Sequence, residues 1–186
     1  MNIQPSDFWN AYKAEIAKTP IENGQAYSLA PLWTRIAVDA AIKVIGRFNL
    51  VPQQEYYRVD AIGYEPTGRQ GKHNWILRIA FEHENGTDWT DELCKLCHIV
   101  ADLRVLVSYY DFNSGIGALE KTLGECLEQL EEQIRRSPGN WLFIFGPWRR
   151  SFGPDRPFIA FELRGTDLRQ LEDDGSLNPA DWPVPQ

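Results

Sequence analysis

The stretch that most constrains the fold runs from Asn74 to Tyr110 and has the pattern of a strand, a turn, a helix and a second strand. Its first part is an apolar run that ends on acidic residues, after which Gly86-Thr87-Asp88 marks a turn. The segment 89–101 has apolar residues at helical spacing, which predicts a helix. The segment 103–110 is rich in β-branched and aromatic residues, as strands are. These patterns together predict an α/β fold in which a helix connects two strands.

Two carboxylates lie at the end of the first of these strands. Glu82 and Glu84 are two positions apart, so their side chains leave the same face of a strand. A third acid, Asp60, lies in another strand-like run, Glu55–Tyr64. Acids on neighbouring strands can meet in space, and carboxylate oxygens are the ligands that hard divalent cations prefer. The sequence therefore predicts a divalent-cation site.

The rest of the chain supplies the other elements of one α/β domain over residues 1–186. Helices are predicted at 6–18, 30–47 and 118–136, and closing strands at 141–145 and 158–163. We expect a core over about 30–110, an additional helix and strands over 111–166, and a loosely ordered tail over 167–186.

Composition and charge limit the classes of function. The chain has 186 residues and a formal net charge of -7, which argues against indiscriminate binding to polyanions. No apolar run approaches the roughly 20 residues needed to span a bilayer, so no membrane partner is expected. The first residues have neither the basic nor the apolar region of a secretory signal. With 3 cysteines, an odd count, we expect reduced thiols and a cytoplasmic location.

The order of elements resembles a known family. A helix, a strand with Asp60, a strand that ends in Glu82-His83-Glu84, a helix with Lys95 and a further strand resemble the core of the PD-(D/E)XK nuclease superfamily. The resemblance implies the restriction-endonuclease-like fold, with an αβββαβ-type core and a mixed central sheet flanked by helices. It also implies Mg²⁺-dependent hydrolysis of nucleic-acid phosphodiester bonds, in DNA rather than RNA.

The same resemblance implies a role for each site residue. Asp60 and Glu82 would bind Mg²⁺, or Mn²⁺ in its place, together with the backbone carbonyl of His83. The sequence departs from the family motif, because Val59 stands in place of the proline and Glu84 in place of the lysine. Lys95 would be a lysine that has migrated to the following helix. Either Lys95 orients the attacking water and stabilises the transition state, or Glu84 accepts the proton of that water; both remain open.

The alternative function is that of a catalytically inactive interaction module with the same fold. The acidic net charge and the missing motif lysine favour this alternative. If the site is active, nucleic acid is the expected partner. Whether the chain forms a homodimer is left open by the sequence.

A second motif, Cys94-Lys95-Leu96-Cys97-His98, matches the pattern for covalent attachment of c-type haem. Such attachment requires an exported chain, and the motif lies within a predicted helix whose inward side includes Cys97. Buried cysteine behaves as a small apolar residue, which is the simpler interpretation. A zinc site is also not favoured, because no second pair of ligands exists elsewhere in the sequence.

Two basic segments are candidates for contacts with phosphate or bases. The loop 66–73 includes Arg69, Lys72 and His73, and a later loop includes Trp148-Arg149-Arg150. An aromatic ring beside two cations can stack on a base and hold a backbone. A surface loop with one buried tryptophan explains the second segment equally well.

Overall fold

The computed structural model describes residues 3–18, 30–67, 75–111, 115–136, 138–148 and 158–171. Its helices are α1 (Pro5–Ile16), α2 (Ala30–Arg47), α3 (Thr90–Cys97), α4 (Gly115–Gln129) and α5 (Glu131–Arg136). Its strands are β1 (Val51–Tyr56), β2 (Val59–Pro66), β3 (Trp75–His83), β4 (Leu103–Tyr110), β5 (Asn140–Pro147), β6 (Ile159–Arg164) and β7 (Asp167–Gln170).

The seven strands form one open sheet in which their order in space equals their order in sequence. The pairs β1–β2, β2–β3, β5–β6 and β6–β7 are antiparallel, whereas β3–β4 and β4–β5 are parallel. Parallel neighbours need a crossover connection. Here α3 lies between β3 and β4 in the chain, and α4 and α5 lie between β4 and β5. The predicted α/β class, a mixed sheet flanked by helices, is confirmed.

Helices cover both faces of the sheet. On one face, α1 and α2 pack against alternate residues of β3 and β4, among them Phe81 and Val105. On the other face, α3 and α4 pack against the intervening residues, among them Ala80 and Leu106. Because side chains alternate across a strand, the end of β3 presents Glu82 to the face that carries α3. No helix in the described part of the chain is long and apolar enough to cross a membrane.

Helix α2 packs very closely on β2 at Gly63. A Cβ atom at this position would lie 2.5 Å from Ile45 Cγ2 and 3.1 Å from Leu50 Cδ1. The β-branched side chain of Ile45 has little rotational freedom within a helix, so it does not readily move aside. The missing side chain of Gly63 therefore lets α2 approach the strand that carries Asp60.

The single strand predicted over Glu55–Tyr64 is wrong. Residues 51–66 form a hairpin instead, with β1 and β2 joined through Tyr57 and Arg58. Both of these residues have positive φ, 48° and 66°, which is the left-handed region. Two-residue hairpin turns of this kind normally use Asn-Gly, and this sequence has no such signal.

Several other boundaries differ from the sequence-based ranges. The helix predicted at 118–136 is divided into α4 and α5, and the helix predicted at 89–101 ends at Cys97. The start of the tail predicted to be loosely ordered is a strand, β7, because Asp167–Gln170 pair with β6. Residues 172–186, the basic segment 68–74 and Arg149-Arg150 lie outside the described residues. The half-buried ring of Trp148 packs against Tyr109.

We predict that Gly63→Ala lowers the free energy of unfolding by about 1–3 kcal/mol, because the added methyl group overpacks the contact with α2. Urea unfolding monitored by circular dichroism measures this change. Gly46→Ala in α2 is the matched control, since nothing lies within 4 Å of a Cβ there. It should leave stability unchanged or raise it by about 0.5–1 kcal/mol. Equal effects of the two substitutions would contradict the proposed close contact.

Candidate active site

Asp60 and Glu82 are neighbours across β2 and β3. The register pairs Ala61 with Phe81 and Ile62 with Ala80, which places Asp60 opposite Glu82 on the same face of the sheet. The negative charge of Asp60 acts on the Glu82 carboxyl. Glu82 is buried and Asp60 is half-buried. The structure thus brings together the two acids that the sequence singled out.

The backbone of His83 holds Asp60 from the end of β3. The His83 N–H donates to Asp60 Oδ2 at 2.7 Å, and the next amide, that of Glu84, donates to the Val107 carbonyl of β4 at 2.9 Å. The N–H and C=O groups of one strand residue point to the same side. The His83 carbonyl therefore points toward β2 and Asp60, as a metal-ligating carbonyl would have to.

The imidazole of His83 lies on the opposite face, as its position in the strand predicts. Its Nε2 is 2.7 Å from Tyr109 Oη, and that same hydroxyl accepts a hydrogen bond from Trp33 Nε1 of α2. These contacts fasten the end of β3 to the helix layer behind it. The ring is therefore a structural group, while the backbone of the same residue belongs to the candidate site.

Lys95 reaches the acids from α3. Its Nζ lies 2.7 Å from Glu82 Oε1 and 3.9 Å from Glu92 Oε1. The same ammonium donates to the carbonyl of Arg58 in the β1–β2 turn at 3.1 Å. The helix is anchored by Leu93, which is fully buried on this face of the sheet. The lysine of the helix therefore contacts the acid of the strand, as the resemblance implies.

Glu84 occupies a different position from the other two acids. Its Oε1 accepts a hydrogen bond from the Gly86 amide at 2.7 Å, so the carboxylate is turned toward the loop that follows β3. It is half-buried, and the charges of Glu92 and Asp60 act on it. We refer to Asp60, Glu82 and Glu84 as the acidic cluster. Glu84 lies at its rim.

Burial dominates the electrostatics of the cluster. It raises the pKa of Glu82 from 4.5 to about 7, with a further rise caused by the charge of Asp60 and an opposing effect from Lys95. Burial also raises the pKa of Asp60, against the hydrogen bond from His83 and the charge of Lys95. The pKa of Glu84 is raised by burial as well. Near neutral pH, the Glu82 carboxyl therefore holds a proton part of the time.

The donor set fits a hard cation. Within the described residues, no three side chains of His, Cys, Asp and Glu converge as a metal-binding group. Two carboxylates, those of Asp60 and Glu82, lie opposite each other on β2 and β3, and their oxygens suit Mg²⁺. A dication at this position would take the place of the proton that Glu82 holds near neutral pH.

The cysteine motif does not form a second centre. Cys97 is the buried last residue of α3, Cys94 is exposed, and neither forms a disulfide. Burial raises the pKa of the Cys97 thiol to about 11, which is unfavourable for a metal-binding thiolate. Cys126 of α4 is also free and is half-buried on the same face of the sheet.

One part of the site was not found from the sequence. The turn at Tyr57 and Arg58 adjoins Lys95 through the Arg58 carbonyl, at the edge of the acidic cluster. The sequence interpretation placed both residues inside a strand. Neither a glycine nor an asparagine marks the turn, so composition carried no signal for it.

Comparisons with known proteins give little information about function. No protein-family model and no curated protein matches the chain. Among solved structures, the central domain of yeast acetyl-CoA carboxylase matches with a TM-score of 0.48 and 10% sequence identity. The match covers 95% of this chain and 36% of that chain, so this chain spans little more than a third of its length. A likeness at this level carries no functional argument.

The burial of Glu82 predicts a pH dependence of stability for the metal-free protein. Because its pKa rises from 4.5 to about 7 on folding, the folded state holds more protons than the unfolded chain between these values. The free energy of unfolding should therefore fall as the pH rises through this window. Glu82→Gln should make the fall shallower. Urea unfolding at a series of pH values measures it, and identical slopes for both proteins would contradict the assignment.

Proposed function

We propose that this chain is a divergent member of the PD-(D/E)XK nuclease superfamily and hydrolyses phosphodiester bonds of nucleic acid, DNA rather than RNA, with Mg²⁺. The observation that carries the proposal is the buried Glu82 opposite the half-buried Asp60, with Lys95 Nζ 2.7 Å from Glu82 Oε1. The order α2-β1-β2-β3-α3-β4 supports the family, since it is the αβββαβ order of the family core.

The two carboxylates and the His83 carbonyl would hold the cation. When bound, Mg²⁺ would activate a water molecule and shield the charge that develops on the phosphate. Asp60 is kept in position by the His83 amide, and Glu82 by Lys95. Glu82 has to lose its proton before it can act as a ligand, so the site becomes competent as the pH rises toward and past its pKa of about 7.

The contacts support Lys95 rather than Glu84 as the group that acts on the water. Lys95 is two-thirds buried and its ammonium already lies against Glu82, whereas Glu84 is bonded to the Gly86 amide. A buried ammonium beside the metal ligands can orient the nucleophile and stabilise the extra negative charge of the transition state. Glu84 lies close enough for electrostatic coupling to Asp60, but its carboxylate is turned toward the loop after β3.

One observation favours the alternative, an inactive interaction module with the same fold. Lys95 and Glu82 form an ion pair by direct contact. This ion pair is by itself a sufficient structural role for both residues, without catalysis. The net charge of -7 also weakens long-range attraction to a polyanion. For either function we propose the reducing cytoplasm as the compartment, because the three cysteines form no disulfide with one another.

We expect Glu82→Gln to abolish cleavage of supercoiled plasmid and of single-stranded DNA in the presence of Mg²⁺ or Mn²⁺. The substitution keeps the shape of the side chain but removes a negatively charged ligand, so the cation is poorly held. Agarose and denaturing gels measure the products, with EDTA as a chemical control. Glu65→Gln is the matched control, because Glu65 lies toward the other end of β2 and is exposed. Nicking that persists in Glu82→Gln would exclude this active site.

Lys95→Ala should lower the cleavage rate by about 10²-fold or more, the usual cost of losing one electrostatic contact to a transition state. Its affinity for Mn²⁺ should be unchanged or higher, because a competing cation leaves Glu82. Titration calorimetry measures binding, and single-turnover cleavage measures the rate. If neither the native protein nor Lys95→Ala binds Mn²⁺ or cleaves any substrate, the inactive interaction module is the correct function.

A further inference from the structure

The turn between β1 and β2 exposes an aromatic ring beside the candidate active site. Tyr57 is 83% exposed, the largest exposed fraction among the big hydrophobic side chains in the described part of the chain. Arg58 follows it and is also exposed, with no ion-pair partner within the described residues. We refer to Tyr57 and Arg58 as the tip. An exposed aromatic followed by an unpaired cation is a pair of groups that can bind both a base and a phosphate.

The backbone of the tip is unfavourable for the side chains that it carries. Both φ values are positive, 48° for Tyr57 and 66° for Arg58, as in the type I′ turns that select Asn-Gly. Side chains with a Cβ are disfavoured in this left-handed region. Backbone strain of this kind persists where the surrounding structure enforces it, and it is concentrated at functional sites.

Tyr57 lies at the exposed end of an array of aromatic rings. Its ring stands edge-on to that of Tyr56, with centroids 4.5 Å apart and planes at 82°. Tyr56 in turn stands edge-on to Trp75 at 5.2 Å, and Trp75 contacts Tyr64 at 5.5 Å. At 83% exposed, the Tyr57 side chain is open to a second ring.

A single ammonium group links the tip to the acidic cluster. Lys95 Nζ donates to the Arg58 carbonyl at 3.1 Å and lies 2.7 Å from Glu82 Oε1. Arg58 is also only two residues before Asp60. The turn that carries Tyr57 therefore adjoins the acidic cluster through Lys95.

We propose that Tyr57 stacks on a base and that Arg58 contacts a phosphate next to the bond that is cleaved, so that the substrate is single-stranded or locally unpaired nucleic acid. This inference rests on the proposed nuclease function and deepens it. A base inside a continuous duplex is stacked on both sides and offers no free face to Tyr57, whereas an unpaired base does. Stacking also does not depend on net charge, so it provides affinity to a chain with a charge of -7.

The test measures binding in a Glu82→Gln background, where the strand stays intact. The probes are a fluorescein-labelled thymidine strand, the same strand with abasic sites throughout its centre, and a blunt duplex, in Ca²⁺ and in EDTA. Tyr57→Asn should weaken binding of the thymidine strand about tenfold, within the range known for one stacked base, and leave the abasic strand unaffected. Tyr57→Phe should bind as Tyr57 does, and Arg58→Gln should weaken both strands.

Two controls separate binding from folding. Asparagine tolerates positive φ, so Tyr57→Asn should keep the turn and the thermal midpoint. Val100→Ser changes an exposed apolar residue in the loop after α3, 67% exposed, and should not alter binding. An equal loss for the thymidine and abasic strands, or no loss for either, would overturn the stacking contact. Preference for the blunt duplex over the single strand would overturn the substrate class.

The outcomes for catalysis and for the tip are distinguishable. Cleavage that depends on Glu82, together with binding that does not depend on Tyr57, would support the nuclease function and contradict the proposed contact of the tip with a base. Suppose that the strand binds in EDTA, that this binding depends on Tyr57, and that the native protein does not cleave it. This result would support base stacking at the tip and contradict the nuclease function. In that case the chain would be a single-strand binding module.

Discussion

The burial of Glu82 beside Asp60 is the constraint on which the rest of the structure depends. Removing a carboxylate from water costs several kcal/mol unless it is paired or protonated, and two adjacent carboxylates also repel each other. Two contacts offset this cost, namely the Lys95 ammonium at Glu82 and the His83 amide at Asp60. They come from α3 and from β3, so the site forms only when β2, β3 and α3 are assembled. Such clusters are frequently functional, because perturbed carboxyl groups are what metal sites and acid–base catalysis use.

The position of α3 is set from its other end by Arg104. This guanidinium is fully buried on β4, donates to the carbonyls of Leu96 and Ile99, and stacks on the ring of Trp141 at 4.9 Å. Burial lowers the pKa of Arg104 to about 10, which leaves it charged at neutral pH. Carbonyls at the C-terminal end of a helix carry partial negative charge, so they are suitable partners for a buried cation. The contact fixes the end of the helix one turn after Lys95.

The two faces of β3 divide the structural and the candidate functional roles. On one face the His83 ring joins Tyr109 and Trp33 and holds the strand to α2. On the other face Glu82 contacts Lys95. The Lys95 ammonium also donates to the Arg58 carbonyl of the tip. Because side chains alternate across a strand, one face of β3 can be fixed to a helix while the other face carries the candidate site. The strained turn at the tip is thus supported by Lys95, which also contacts Glu82.

The sequence by itself determined the α/β class, the apolar strands, α2 and the two acids, because these depend on residues close together in the chain. Period-two alternation placed Glu82 and His83 on opposite faces, as the structure has them. Tertiary structure decided the pairing of Asp60 with Glu82, which needs the β2–β3 register, and the contact of Lys95 with Glu82, which needs the crossover through α3. It also decided the hairpin at Tyr57 and Arg58. Both residues disfavour positive φ, but the pairing of β1 with β2 and the contact of Lys95 with the Arg58 carbonyl outweigh this local preference. Local pattern carries no information about such contacts, since their free energy comes from residues distant in sequence.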